Sequence, residues 1–437
     1  MPDLRFVSRF QSTAEQAFAV FVLWFASTGA LVPLLRGAQE VTVATQTDTA
    51  LEADPVTLPM WIGVYALTLL LIIPRWKQFA LVATRNKLLL LLVGLALVSM
   101  LWSVAPEVTF RRGVALVGTT LFGGYFAVRY SLREQIRLLA WALGIAALLS
   151  LLIGLALPSY GTAIDVFGQT AWRGIYSTKN VLGSNMVLGA LVFLILAVSG
   201  RRWRWVAWTG CGLSLGLLLL STSRTALIVF LTLLALWPLY KALRWHYTLA
   251  VPFLIVAVLL VGALSMLVSA TWEPLLEALG RDATLTGRTV LWSLVWDMIR
   301  ERPWLGYGYA GFWLGWEGPS AYIWRITRDS VPQTDNGYLD LWLDLGLLGV
   351  SLFALQFLQA FGRALAWVRW TKATEDLWPP MFLAFILLLD LTESAILKQN
   401  SLAYILYVAV VFSVSMRRGL PTLPRYIGEP QTKRPRQ

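Results

Sequence analysis

The chain is poor in the side chains that carry most redox, metal and acid–base chemistry. Cys211 is its only cysteine in 437 residues, which excludes an intrachain disulfide and a cysteine-based zinc motif. His246 is its only histidine, and it sits beside Arg244 in a segment read as a cytoplasmic loop, where a surface role is the plainer one. No glycine-rich phosphate loop, Gly-x-Ser-x-Gly, His-Glu-x-x-His or Asp-x-Asp pair occurs, so nucleotide-driven and metal-dependent mechanisms have no visible support. Charge is scarce as well. Only 14% of residues are charged while 57% are hydrophobic, which places the chain among polytopic membrane proteins.

A hydrocarbon core of about 30 Å needs roughly 17–25 apolar residues per helical span. Twelve such runs are expected, near 17–35, 58–74, 87–104, 113–128, 136–157, 181–199, 203–221, 224–240, 248–270, 338–360, 379–397 and 400–416. Only helices or a closed barrel satisfy the backbone in lipid, and runs this long are helical. With both ends in the cytoplasm, 23 of the 36 basic residues fall inside and 18 of the 24 acids outside. That asymmetry is a topology signal. It accounts for the net charge of +12 as contact with anionic lipid, without a nucleic-acid partner. The basic start (Arg5, Arg9) before the first apolar run resembles a signal peptide and is read as an uncleaved first span.

The chain divides into a transmembrane part (1–270), an outward loop (271–337), a second transmembrane part (338–416) and a basic, proline-punctuated tail (417–437) expected to be a disordered cytoplasmic end. Segment 36–57 is polar and reads as a solvated loop. In the long loop, Leu291, Trp292, Val295, Trp296 and Ile299 recur at helical spacing. This predicts an amphipathic, interfacial helix over 288–300, capped by Thr286 and stopped at Pro303. A glycine-punctuated aromatic turn, Trp304 to Tyr309, follows. A loop of this length calls for a purpose, and an outward cover over an active site is the natural one.

The cations left on the outer side are the candidates for chemistry. Arg224 lies in Ser221-Thr222-Ser223-Arg224-Thr225, at a tight turn between two apolar runs. Its bland role is to snorkel to lipid phosphate, but a cation near hydrocarbon is costly and often functional. Arg288 stands at the first turn of the amphipathic helix, where a cation opposes the macrodipole. If both point inward they can hold a diphosphate through bidentate bonds. Arg173, Lys179 and Asn180 precede the sixth span, where an interfacial anchor is the competing role. Arg36, Arg111 and Arg112 read as anchors only.

Asn336 suits an N-cap of the tenth span, with Asp340 and Asp344 on one face of its first turns. Asp335 precedes that cap in an irregular stretch, where its side chain can reach a substrate. Asp390 and Glu393, near the outward end of the eleventh span, are candidate partners for arginines. The loop aromatics Trp304, Tyr307, Tyr309 and Trp313 are expected either to stack on sugars or to hold the loop at the interface.

Taken in order, Trp172-Arg173-Gly174 with Lys179-Asn180, Ser223-Arg224-Thr225, Gly287-Arg288-Thr289 with Trp292, Arg302 to Gly308, Asn336-Gly337-Tyr338-Leu339-Asp340 and Leu391-Thr392-Glu393-Ser394 resemble the O-antigen ligase and exopolysaccharide polymerase (Wzy-type) superfamily. The likeness covers roughly residues 85–415 and is strongest to the exopolysaccharide-production branch. It implies an all-α, GT-C-like membrane glycosyltransferase of the bacterial inner membrane, working at the periplasmic face without metal or cofactor. Such an enzyme takes a glycan from an undecaprenyl-diphosphate carrier and passes it to a lipid-linked acceptor glycan (polymerase) or to a lipid A core (ligase). The resemblance places diphosphate-binding arginines at Arg224 and Arg288; Arg173, Lys179, Asn180, Asn336, Tyr338 and Glu393 are the further candidate substrate contacts.

The chain departs from the family pattern in one respect. Where relatives commonly carry a histidine before the residue matched by Asn336, this chain has Asp335, and Thr178 stands where another is frequent. Asp335 is therefore the candidate base or orienting group for the acceptor hydroxyl. A twelve-span transporter is the reading from another class. It requires paired discontinuous spans and midplane charges in two corresponding halves.

Overall fold

The computed structural model describes residues 2–28, 57–164, 170–200, 203–244, 288–328 and 331–416, with side chains from 12 in the first stretch and from 290 in the fifth. The expected span at 248–270, His246, the Thr286 cap, the 36–56 loop and the tail from 417 lie outside the described residues.

What is described is helical. The helices are α1 (Pro2–Thr28), α2 (Thr57–Ile72), α3 (Trp76–Arg85), α4 (Lys87–Val98), α5 (Pro106–Arg129), α6 (Leu132–Ala156), α7 (Lys179–Ser199), α8 (Arg204–Leu220), α9 (Arg224–Ala242), α10 (Arg288–Glu301), α11 (Ala321–Thr327), α12 (Gly337–Trp370), α13 (Trp378–Leu389) and α14 (Leu402–Met416). A two-stranded antiparallel ribbon, β1 (Thr162–Ile164) with β2 (Thr170–Trp172), is a small addition to the all-helical expectation. Among the described residues, five stretches are long and apolar enough to cross a membrane: Thr57–Arg85, α6, α7, α9 and α12. Shorter apolar helices are Lys87–Leu101, α8 and α14.

Burial separates the centre of the bundle from its rim. In α7, 72% of the apolar window is buried, against 11% in Thr57–Arg85, so α7 is central and α2–α3 peripheral. Leu69, Leu70, Leu152, Leu155, Leu219, Leu355 and Leu358 are exposed along helix sides. An apolar surface that extensive requires a lipid solvent. This is an all-α membrane protein.

Hydrogen bonds sort the helix ends into two sets. At one end Glu15, 5% exposed, bridges Arg129 and Arg75, the latter at 3.1 Å. Arg363 donates to Asn86 (3.1 Å), Arg133 pairs with Glu375 (2.8 Å), and Arg244 donates to the carbonyls of Lys372 and Ala373. Glu15→Ala leaves two guanidiniums, each about a quarter exposed, without their shared carboxylate. Breaking a fully buried pair costs about 3–5 kcal/mol, and the partial exposure lowers the expectation here to about 2 kcal/mol. Thermal unfolding in detergent checks this; an unchanged midpoint would mean that water already solvates both arginines.

At the other end, the Arg302–Tyr309 segment is built into the bundle. Helix α12 is broken at Gly346, which adopts φ 63° and ψ −166°. The break frees backbone groups on both sides, and the 302–309 segment satisfies them. Tyr307 N–H donates to the Leu343 carbonyl at 2.8 Å and Gly308 N–H to that of Asp344 at 3.0 Å. In return Leu347 N–H donates to the Pro303 carbonyl at 2.8 Å and Leu348 N–H to that of Trp304 at 3.3 Å. Unpaired amides inside a bundle would each cost of order a hydrogen bond or more.

Several expectations are corrected by this architecture. Residues 390–397, read as the end of a span, form a turn in which Leu397 has a positive φ of 52°. Arg112 is not a surface anchor: it is 5% exposed within α5 and interacts electrostatically with Asp344. Tyr307 and Tyr309 are each 3% exposed, so neither offers a ring to a sugar. The Tyr309 hydroxyl donates to the Leu397 carbonyl (2.5 Å) and that of Tyr307 to the Met298 carbonyl (3.0 Å). Burial, and then the Glu301 carboxylate beside it, hold the Tyr307 proton well above the usual tyrosine range. Trp304, at 69% exposed, keeps the interfacial option. Leu291, Val295 and Ile299 of α10 are buried as their spacing requires, against α12.

Candidate functional site

The starts of two helices meet at one cleft. Thr178 caps α7, its hydroxyl accepting from Val181 N–H at 3.2 Å. Ser223 caps α9 by accepting from Ala226 N–H, and its own hydroxyl donates to Asn180 Oδ1 at 3.1 Å. That bond ties the two N-termini together. Thr222 makes the preceding turn with a φ of 50°. Thr178, at the place of a family histidine, therefore has a local structural job.

A shallow, partly open cleft lies between α7, α9 and α13. Asn180, Ser184, Ser223, Thr225 and Glu393 supply its polar wall, and Val187, Ala226, Val229, Phe385 and Leu389 its apolar one. Lys179 and Arg224 are the first residues of α7 and α9, each one position from a residue in the wall. Arg224 is exposed and Lys179 half-buried. Two helix N-termini, each opening on a cation, thus lie next to one cleft whose other wall is apolar.

The 333–340 turn abuts this cleft through the backbone. Asn336 caps α12 as expected, its Oδ1 accepting from Tyr338 N–H (3.1 Å) and Leu339 N–H (3.2 Å). Gly337 N–H donates to the carbonyls of Asp390 (2.9 Å) and Glu393 (3.1 Å). A Cβ on Gly337 would stand 2.1 Å from Asp390 Oδ1, so this approach needs glycine. The Tyr338 hydroxyl donates to the Leu387 carbonyl at 3.0 Å.

Asp335 adopts a φ of 51°, a conformation that Asp, Asn and His tolerate better than most residues. The same backbone therefore admits either the family histidine or this aspartate. Its Oδ1 accepts from Gln333 Nε2 at 3.1 Å, and Gln333 Oε1 accepts from Lys398 Nζ at 3.5 Å.

The structure thus brings Asn180 and Glu393 into the cleft wall, with Lys179 and Arg224 at its edge and Asn336 and Tyr338 on the adjoining turn. Arg173 is placed elsewhere: it follows the β-ribbon, and its Nε donates to the Tyr160 carbonyl at 2.7 Å. Arg288 begins α10, and its side chain lies outside the described residues. Asp390 is fully buried, and its Oδ1 accepts from the N–H groups of Ala395 (2.7 Å) and Ile396 (3.0 Å), which corrects the expectation of an arginine partner. Ser184 was missed: a lone serine inside an apolar span gives no signal in sequence. Asp340, read as a cap-region acid, is a strut. Its carboxylate accepts from Trp313 Nε1 (2.9 Å), Thr334 N–H (3.3 Å) and the Ser394 hydroxyl.

Residues 209–354 match the family model described as O-antigen ligase, a stretch that contains Arg224, Arg288, Asp335 and Asn336. This part of the chain is similar to the O-antigen ligase family. The resemblance carried by the short motifs is thereby borne out. The chain is also similar to the exopolysaccharide production protein ExoQ of Rhizobium meliloti (strain 1021), with 26% identity over 275 residues. That match takes in 61% of this chain and 62% of the relative, so it spans less than two thirds of the relative's length. Among solved structures, a chain from "Structural coordination of polymerization and crosslinking by a peptidoglycan synthase complex" aligns with 76% of this chain and 96% of its own length, at 18% identity and a TM-score of 0.38. An overlap that loose carries no argument.

Proposed function

We propose that this protein is a periplasm-facing glycosyltransferase of the bacterial inner membrane, with both termini cytoplasmic. It takes a glycan from an undecaprenyl-diphosphate carrier and adds it to an acceptor sugar, polymerising an exopolysaccharide or O-antigen repeat. The observation that carries this reading is the cleft where the N-termini of α7 and α9 meet, with Lys179 and Arg224 at its edge and apolar side chains on its other wall. A prenyl diphosphate has the same two-part character: an anionic head and a hydrocarbon chain.

In this mechanism Arg224 and Arg288 neutralise the departing diphosphate, an electrostatic job that needs no metal. Displacement at the anomeric carbon is single and inverting. Asp335 orients the acceptor hydroxyl from the turn before Asn336, and Asn180 and Lys179 contact the head group. Arg173, occupied with Tyr160, is left as a peripheral contact.

The family description favours a second reading, transfer to a lipid A core, while the similarity to an exopolysaccharide production protein favours polymerisation. A deletion strain separates the two. Loss of long-chain polysaccharide with the core unmodified supports the polymerase. The transporter reading requires paired broken spans, and among the described helices α12 carries the one internal break.

The direct test is transfer in vitro by the purified protein with an undecaprenyl-diphosphate oligosaccharide as donor. Asp335→Asn is expected to raise the acceptor KM several-fold and leave donor binding near wild type. Absence of transfer by the wild type, with binding to neither lipid, would remove the reading.

A further inference from the structure

The notable feature of the cleft is how rigidly its one carboxylate is presented. Among the described residues Glu393 is the only acid in the wall, and it stands at the apex of the Asp390–Ile396 turn. Five hydrogen bonds fix that turn. Asp390 Oδ1 closes it by accepting from Ala395 and Ile396 N–H, from a position with no exposure to solvent. Gly337 N–H holds the Glu393 carbonyl itself at 3.1 Å, and Glu393 N–H donates to the Leu389 carbonyl at 2.9 Å. Asp340 takes the hydroxyl of the next residue, Ser394, while the same carboxylate grips Trp313 and Thr334. The buried Asp390 carboxylate closes the loop and the half-buried one of Asp340 anchors its neighbour, with Glu393 between them in the cleft wall. Fixing a reactive group through packed second-tier hydrogen bonds is how sites reach productive geometry.

Asp335 is placed differently. It lies on the adjoining turn, takes a hydrogen bond from Gln333, and is not part of the cleft wall. A general base must stand within hydrogen-bond reach of the proton it removes. Between the two carboxylates, the one beside the two helix N-termini is Glu393.

We infer that Glu393 is the general base of the transfer, with Asp390 and Asp340 as its positioning residues and Asp335 confined to orienting the acceptor. This rests on the glycosyltransferase reading above. The acceptor hydroxyl oxygen forms a bond to the anomeric carbon, and the bond from that carbon to the diphosphate oxygen breaks. The electron pair of the broken bond leaves with undecaprenyl diphosphate, and the hydroxyl proton passes to the Glu393 carboxylate and then to water.

The test is steady-state transfer by full-length protein with the undecaprenyl-diphosphate oligosaccharide donor. Glu393→Gln is expected to lower kcat by about a hundredfold or more, the usual contribution of a general base, with donor KM within about threefold of wild type. Glu393→Ala is expected to regain rate when formate is added, a response that loss of packing does not give. Asp390→Ala, which removes the acceptor oxygen, is expected to lower kcat with donor KM near wild type, and Asp390→Asn, which keeps that oxygen, to restore part of the lost rate. A Glu393→Gln enzyme with kcat within fivefold of wild type overturns the inference, as does a failure of formate to raise the rate of a folded Glu393→Ala protein. Should the wild type transfer nothing, the function itself falls; should it transfer while Glu393→Gln matches it, only this assignment does.

Discussion

Arg224→Ala is expected to lower kcat for glycan transfer by about a hundred- to a thousandfold, and Arg288→Ala by as much. Removing one preorganised donor from a developing anion has that effect where the site is dry and the donor is placed in advance. In the proposed transfer the leaving group is a diphosphate, which carries more charge than a single oxyanion. Lysine at either position should recover only part of the rate, because an ammonium cannot make the bidentate contact of a guanidinium. Stability should move little, or upward. Both residues open a helix, where a cation is repelled by the macrodipole by about 0.3–1 kcal/mol, so alanine relieves that repulsion. The signature is therefore a lost rate with an unchanged or higher unfolding midpoint. Wild-type rates in both variants would remove the diphosphate clamp, whatever Glu393 does.

Gly346→Ala should be the most destabilising single methyl in the described part of the molecule. Gly346, at φ 63° and ψ −166°, occupies a region essentially restricted to glycine, and a side chain there is strained by about 1–3 kcal/mol. The added Cβ would also stand 2.2–2.4 Å from Trp304 C, Trp304 O and Leu305 N, all backbone atoms that cannot swing away. Overpacking of that kind adds about 1–3 kcal/mol. A loss of about 4 kcal/mol follows, with lower yield from the membrane. Gly362, in the same helix with nothing within 4 Å of its Cβ position, is the control. Gly362→Ala should be neutral or stabilising by up to about 1 kcal/mol, as alanine prefers the helix. Equal midpoints for the two variants would mean that the 302–309 segment does not pack into the break.

What the sequence revealed and what it hid have physical causes. Hydropathy located α6, α7 and α9 because an apolar run is visible whatever it packs against. The cap at Asn336 and the buried stripe of α10 were legible because both obey local rules. Hydropathy cannot see a backbone break, so Leu345-Gly346-Leu347 reads as continuous helix. Ala395, Ile396 and Leu397 read as the end of a span for the same reason, although their apolarity serves a packed turn. Arg112 was misjudged because its neighbour Asp344 comes from a distant helix. The motifs named Arg224, Asn180 and Glu393 as members of a site. They could not say that Asn180 and Glu393 share a wall while Arg173 turns away to Tyr160, since that depends on how α7, α9 and α13 meet.

The broken α12 also bears on assembly. Leu347 and Leu348 have no helical carbonyl to donate to across Gly346, and their partners, Pro303 and Trp304, lie about forty residues earlier in the chain. The 34-residue helix therefore cannot complete its backbone pairing while it is being inserted. It has to receive an already synthesised strand of loop from outside. Once seated, the amides of Tyr307, Gly308, Leu347 and Leu348 should exchange with solvent deuterium as slowly as those of the central helices, though two of the four belong to a loop. The segment read as an outward cover is, in folding terms, a late-arriving part of the packed bundle.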